Sequence, residues 1–225
     1  LPQTSSTLSV AEDLNTVTLL PAKIELISLE ETSHVERIRK LVKCTQQYGT
    51  LPFSNLARCA FVSVSILSSL KRLGMLSVGE VENFMQSLTT VTKKMTEDVQ
   101  LMSSGSLSKR EFLRKYGHLR PGTYDICSPS YADNFDQYFP PTRGTVQKEN
   151  TSKSAYDFQL SADREAEITH CLKNAGLSVS FPEFILFCKQ SIEGREEAKF
   201  IFTRGVSEIL SNVSGLCAIE NIHGF

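Results

Sequence analysis

The strongest constraint on this chain is a repeated start signal: Ser33 with Glu36, Ser77 with Glu80, Ser108 with Glu111 and Ser180 with Glu183 each match a Ser-x-x-Glu capping box. In such a box the serine hydroxyl and the glutamate carboxylate each satisfy a backbone N–H that the first helical turn leaves without a partner. Gly49, Gly74, Gly105, Gly117 and Gly176 each follow a periodic segment, where a glycine can take the left-handed conformation that ends a helix. Starts and stops together bracket helices over 34–48, 55–73, 78–103, 109–116 and 162–175, with a longer one beginning near Phe181. Along that last helix Phe184, Phe187, Cys188, Ile192, Phe202 and Ile209 recur near helical spacing, enough for a wide buried stripe. The expected fold is all-α, an irregular helical bundle.

Two stretches depart from this pattern. Residues 1–31 contain two short apolar runs, Val17 to Leu20 and Ile24 to Leu29, which leave strands, a helix or a packing arm open. They stand as an unassigned N-terminal arm, with a small extended element among the options, ahead of a helical domain over 32–225. Between 117 and 161 the periodicity stops: Pro121, Pro129, Pro140 and Pro141 appear with several aspartates, and Pro141 to Ser154 is polar and turn-rich. A long loop of this kind inside a domain is often functional. The aromatic residues Tyr131, Phe135, Tyr138 and Phe139 are read as anchors of that loop on the core.

Composition narrows the function mainly by exclusion. The chain has 225 residues, with 24 basic against 25 acidic side chains and a net charge of −1, so no global field points to nucleic acid or an anionic membrane. Its longest mostly apolar stretch, Cys59 to Leu70, falls well short of the roughly 20 residues that a bilayer requires. The sequence starts at Leu1 without a signal-peptide pattern and reads as a piece of a larger protein. Six cysteines at wide spacing, with no CxxC pair, read as mostly buried free thiols and suit a cytoplasmic location.

No glycine run matches a phosphate-binding loop, so nucleotide binding by this chain is not expected. The histidines His34, His118, His170 and His223 lack metal-ligand spacing; adjacent His170 and Cys171 diverge around a helix and make a poor chelate. The informative stretch runs from Tyr116 through Gly117, His118, Leu119, Arg120, Pro121, Gly122, Thr123 and Tyr124 to Asp125, then on to Ser128 and Pro129. There a helix ends and a proline-set loop carries an imidazole, a guanidinium and a carboxylate. Such a group either knits its own loop together or marks a site.

The run YGHLRPGTYDICSP resembles the YGH-x-x-PG-x-x-D-x-x-SP signature in the central helical region of phosphoenolpyruvate-synthase-like enzymes, a group that includes the rifampicin phosphotransferases. Glu193 to Phe200, with Thr203 and Arg204 after it, is similar to the RE-x-x-K helix of the same region. The resemblance implies a three-part machine in which an ATP-grasp domain phosphorylates a histidine on a swivelling domain, which then delivers the phosphoryl group to an acceptor beside the helical region. ATP and Mg²⁺ are implied for the intact enzyme, with no cofactor or metal in this chain. The carrier histidine of such enzymes lies in a glycine-rich loop of small residues, whereas charged helical sequence precedes His170, which is therefore not the carrier.

Arg195 and Lys199 lie four positions apart on one helix face, where like charges repel slightly. On its helix Arg195 neighbours Ser191, Ile192, Ala198 and Lys199, leaving it without a local carboxylate, so either a phosphoryl group or an acid from another helix would complete it. Arg204, about half a turn away, falls outside this cluster, and Lys109, Arg110, Arg114 and Lys115 read as a solvated face. The resemblance implies that Arg195 and Lys199 hold the travelling phosphoryl group while His118, Arg120 and Asp125 shape or orient the site, with Arg195, Lys199 and His118 as catalytic residues and Arg120, Tyr124 and Asp125 as substrate-binding ones. The rival function is a non-catalytic helical scaffold or interaction domain.

Overall fold

The capping serines start helices where expected. The computed structural model describes residues 5–140 and 160–220, and within them the order is α1 (Ser5–Thr18), α2 (Leu20–Leu29), α3 (His34–Thr45), a π-turn (Gln46–Thr50), α4 (Leu51–Arg72), α5 (Val78–Ser87), α6 (Val91–Ser103), α7 (Lys109–Tyr116), α8 (Phe135–Tyr138), α9 (Ala162–Asn174) and α10 (Phe181–Ile219). No strand occurs among the described residues, and the protein is all-α. Both halves of the box close at Ser77, whose Oγ accepts from the Glu80 N–H at 3.2 Å while its own N–H donates to Glu80 Oε2 at 2.7 Å. Ser108 with Glu111 and Ser180 with Glu183 do the same, and Ser33 accepts from the Glu36 N–H.

The stops were less reliable than the starts. Gly74, Gly105 and Gly176 take φ of 74, 78 and 85°, the left-handed geometry that ends a helix. Gly117 keeps right-handed angles, and Gly49 does not stop its helix at all. It lies buried in the π-turn that joins α3 to α4, where an added Cβ would meet Phe202 Cδ2 at 3.0 Å and Leu20 Cδ2 at 3.1 Å. Close approach, rather than backbone freedom, requires glycine there. His34–Arg72 is thus 39 residues of helix, long and apolar enough by length and composition to cross a membrane, a length that Cys59 to Leu70 alone did not suggest. Conversely, the segment expected as one helix over 78–103 breaks at Leu88, whose backbone is extended (φ −64°, ψ 140°), and the Thr89 N–H donates to Glu193 Oε1 at 2.7 Å.

The option of an extended N-terminal element is corrected, because residues 5–29 are helical apart from Leu19. The two apolar runs are turns of helix: Val17, Leu20 and Ile24 are buried at spacings of three and four. Pro21, which punctuates them in the sequence, sits in the first turn of α2, where its missing N–H costs nothing.

The chain divides into two compact units. In its described parts the first takes residues 5–14, 54–90 and 160–196, and the second takes 15–53, 91–140 and 197–220. Leu67, Leu70, Phe84, Ile168, Phe181 and Phe184 lie at the centre of the first unit. There the Arg164 guanidinium grips Glu80 at 2.7 Å and the Met75 carbonyl at 3.0 Å, and holds the Glu80 carboxyl at about 2, well below its ordinary range. The buried core of the second unit includes Leu20, Leu41, Phe112, Tyr116 and Phe202, and Phe53 stacks on Phe202 with ring centroids 5.6 Å apart. Burying each of these side chains stabilises the fold by about 1.5–3 kcal/mol.

Candidate functional site around His118

The site lies in the second unit and starts from α7. Phe112 and Tyr116, one helical turn apart, are fully buried, and Phe112 meets Phe135 and Phe139 edge-on at 6.1 and 5.1 Å. Tyr131 packs on Phe139, and Tyr138 donates to the Pro129 carbonyl at 3.0 Å. The loop aromatics are therefore anchors, and they fix the chain that leaves Tyr116. The loop closes on itself through Ala132 N–H to Gly117 O at 3.0 Å and Tyr131 N–H to Leu119 O at 2.8 Å. Gly122 N–H donates to Ser128 Oγ at 3.1 Å, and a Cβ on Gly122 would lie 2.8 Å from Asp125 Cβ. The remainder of the expected loop, residues 141–159, lies outside the described residues, as does His223.

Two of the expected substrate-binding residues serve the loop. Arg120 donates to the Ser128 carbonyl at 3.2 Å and to Ser207 Oγ at 3.0 Å, and Asp125 Oδ1 accepts from the Cys127 N–H at 2.9 Å. Tyr124 is 69% exposed.

His118 differs from these. Its Nε2 lies 3.1 Å from the Phe200 carbonyl oxygen, and its ring packs against the Phe200 ring at 4.9 Å. A carbonyl only accepts, so Nε2 carries the proton and Nδ1 carries the lone pair. That Nδ1 is buried without a hydrogen-bond partner. Burial, helped by the nearby Arg204 charge and opposed by the Phe200 carbonyl, lowers the imidazole pKa to about 4, so the ring is neutral at pH 7.

His118 and Arg204 line two adjoining clefts. The first, of about 580 Å³, is bordered also by Asp98, Glu111, Arg114 and Lys115. The second, of about 620 Å³, carries Glu25, Ser28, Asp133, Ser207 and Glu208. Both volumes fall in the range that small-molecule sites occupy. Arg204 is the functional candidate that sequence reasoning set aside. Its place around the helix separates it from Arg195, whereas its relevant neighbour is His118, reached because Arg204 follows Phe200 by one helical turn. Arg114 and Lys115, expected on a solvated face, border the first cleft.

The expectation that Arg195 lacks a local acid is overturned. Its Nη2 donates to Glu196 Oε1 at 2.6 Å, and the guanidinium lies 5.9 Å from the centre of the Phe61 ring. Spacing rules that consider only positions three and four away miss such an adjacent pair. Arg195 belongs to the first unit, whereas His118, Arg120, Tyr124, Asp125 and Lys199 belong to the second, where Lys199 is exposed. Among the described residues no group of three His, Cys, Asp or Glu side chains could hold a metal ion. No protein-family model, curated protein or solved structure matches the chain.

Proposed function

We propose that this chain is the acceptor-side helical domain of an ATP-dependent phosphotransferase resembling phosphoenolpyruvate synthase, inactive without ATP-grasp and swivelling phosphohistidine domains. The carrying observation is the neutral His118 imidazole, with the unspent Nδ1 lone pair in a residue that borders both clefts. In this role an acceptor hydroxyl attacks the carrier's phosphohistidine: a P–O bond forms, the P–N bond breaks, and its electron pair returns to the carrier imidazole. The hydroxyl proton passes to His118 Nδ1. A base held neutral at working pH can take that proton, and positioned groups of this kind contribute typically 10²–10⁴-fold in rate. The Phe200 carbonyl and ring orient the imidazole.

ATP and Mg²⁺ act on the ATP-grasp domain in this proposal, and a small-molecule acceptor is the ligand here. A cytoplasmic location goes with it, in keeping with six free cysteines, which suit a reducing compartment. The scaffold reading draws on the exposed apolar side chains Phe61 and Val64 of α4. Incubating the full-length protein with γ- and β-labelled ATP tests the proposal. Label should settle on a histidine outside this chain, and stable label on His170 would overturn the assignment.

A further inference from the structure

The charged groups around the first cleft are unequally occupied. Lys115 is held by Asp98 at 2.6 Å, and Tyr116 donates to the same carboxylate at 2.8 Å. Glu111 is engaged by its capping serine, Ser108, at 2.6 Å. Arg204 uses Nη2 to donate to the Arg114 carbonyl at 2.9 Å, which occupies one of the five N–H donors that a guanidinium offers. Neither Arg204 nor Arg114 is ion-paired with a carboxylate among the described residues. Asp98 and Glu111 are thus engaged by Lys115 and Ser108, with Arg114 adding a favourable charge to Glu111, whereas Arg204 and Arg114 keep guanidinium donors that no carboxylate occupies among the described residues. His118, whose Nδ1 is buried without a hydrogen-bond partner, borders the same cleft.

An anion that needs guanidinium donors on its charged oxygens and one acceptor for its remaining hydroxyl matches this set. Monohydrogen phosphate has that chemistry, since guanidinium forks fit its oxygens bidentately while Nδ1 accepts from the P–OH group. Resting on the phosphoryl-transfer reading for its purpose, we propose that Arg204 and Arg114 form an oxyanion subsite in the first cleft that takes a phosphate-sized dianion against His118. Arg204 thus takes the role expected of Arg195, and the phosphoryl group enters on this side of the imidazole.

The test is nuclear magnetic resonance of the His118 ring in this chain during titration with inorganic phosphate. Saturable shifts at millimolar phosphate are expected, together with a rise in the His118 titration midpoint, because a bound anion offsets the Arg204 charge. Arg204→Gln should weaken binding about ten- to a hundredfold, Arg114→Gln should weaken it less, and Arg195→Gln should leave it unchanged. Circular dichroism confirms that each variant is folded, and Arg204→Lys keeps the charge should the glutamine variant fail to fold. Absence of a saturable shift, or equal phosphate affinity in folded wild type and the Arg204 variants, would overturn the subsite. The two proposals fail separately: phosphate binding in a protein that never takes label from ATP would leave the subsite standing and remove the phosphotransferase, and the reverse would do the opposite.

Discussion

His118 Nε2 and the Phe200 carbonyl oxygen, 3.1 Å apart, join the loop after α7 to the middle of α10 within the second unit. This single contact sets the tautomer of the imidazole and leaves Nδ1 as an acceptor. Because the ring is buried, its pKa is lower in the folded protein, about 4, than the ordinary 6.5.

The sign of the consequence for stability is fixed. Below pH 6.5 the unfolded chain takes up a proton at His118 that the folded chain refuses, so the contribution is full above 6.5 and is lost as pH falls toward 4. The loss amounts to about 3 kcal/mol. Urea unfolding between pH 7 and 4 should show it, and His118→Gln, whose amide can still donate to Phe200, should flatten that part of the profile. An unchanged acid profile in the variant would contradict the assigned burial.

Glu80 defines a second, more acidic window. Arg164 and the Ser77 cap hold its carboxyl at about 2, against an ordinary 4.5, so its contribution persists above 4.5 and is lost as pH falls through 2. Glu80→Gln should lower stability at pH 7 by about 1 kcal/mol, since the pair is partly exposed. The deficit should vanish near pH 2, and thermal melts at both pH values would reveal it.

How much of this was legible in the sequence differs between the starts and the ends of elements. A serine cap announces itself through a glutamate three residues on, which is local chemistry, and all four expected boxes start helices. Gly49 failed as a stop because its need for a small side chain comes from Leu20 and Phe202, distant in sequence. The site was half legible: the Tyr116–Pro129 motif drew attention to His118, but the positions that make Arg120 a loop brace and Arg204 a cleft residue are set by tertiary contacts with Ser128, Ser207 and Arg114.

Arg195 gives a direct contrast with the sequence-based expectation. Its partner is the adjacent Glu196, and the two side chains are 34% and 25% exposed. Arg195→Ala should cost no more than about 1 kcal/mol in urea unfolding. A loss of several kcal/mol would mean that it is a buried structural anchor instead.

The cysteines should separate sharply by reactivity. All six are free; Cys127 is exposed, whereas Cys188 is buried and its thiol is pushed up to about 12. Thiolates are the reactive form. Timed alkylation with mass spectrometry should label Cys127 first and Cys188 only on unfolding, and early labelling of Cys188 would contradict the packing of the first unit.

The most direct test of the account is the discharge of labelled phosphohistidine in the full-length protein carrying His118→Gln, with pyruvate and a rifamycin as trial acceptors. The variant should acquire label from ATP at the wild-type level and pass it on about 10²–10⁴-fold more slowly, with an unchanged melt at pH 7. Discharge at the wild-type rate, or a wild-type protein that takes no label from ATP, would contradict the account.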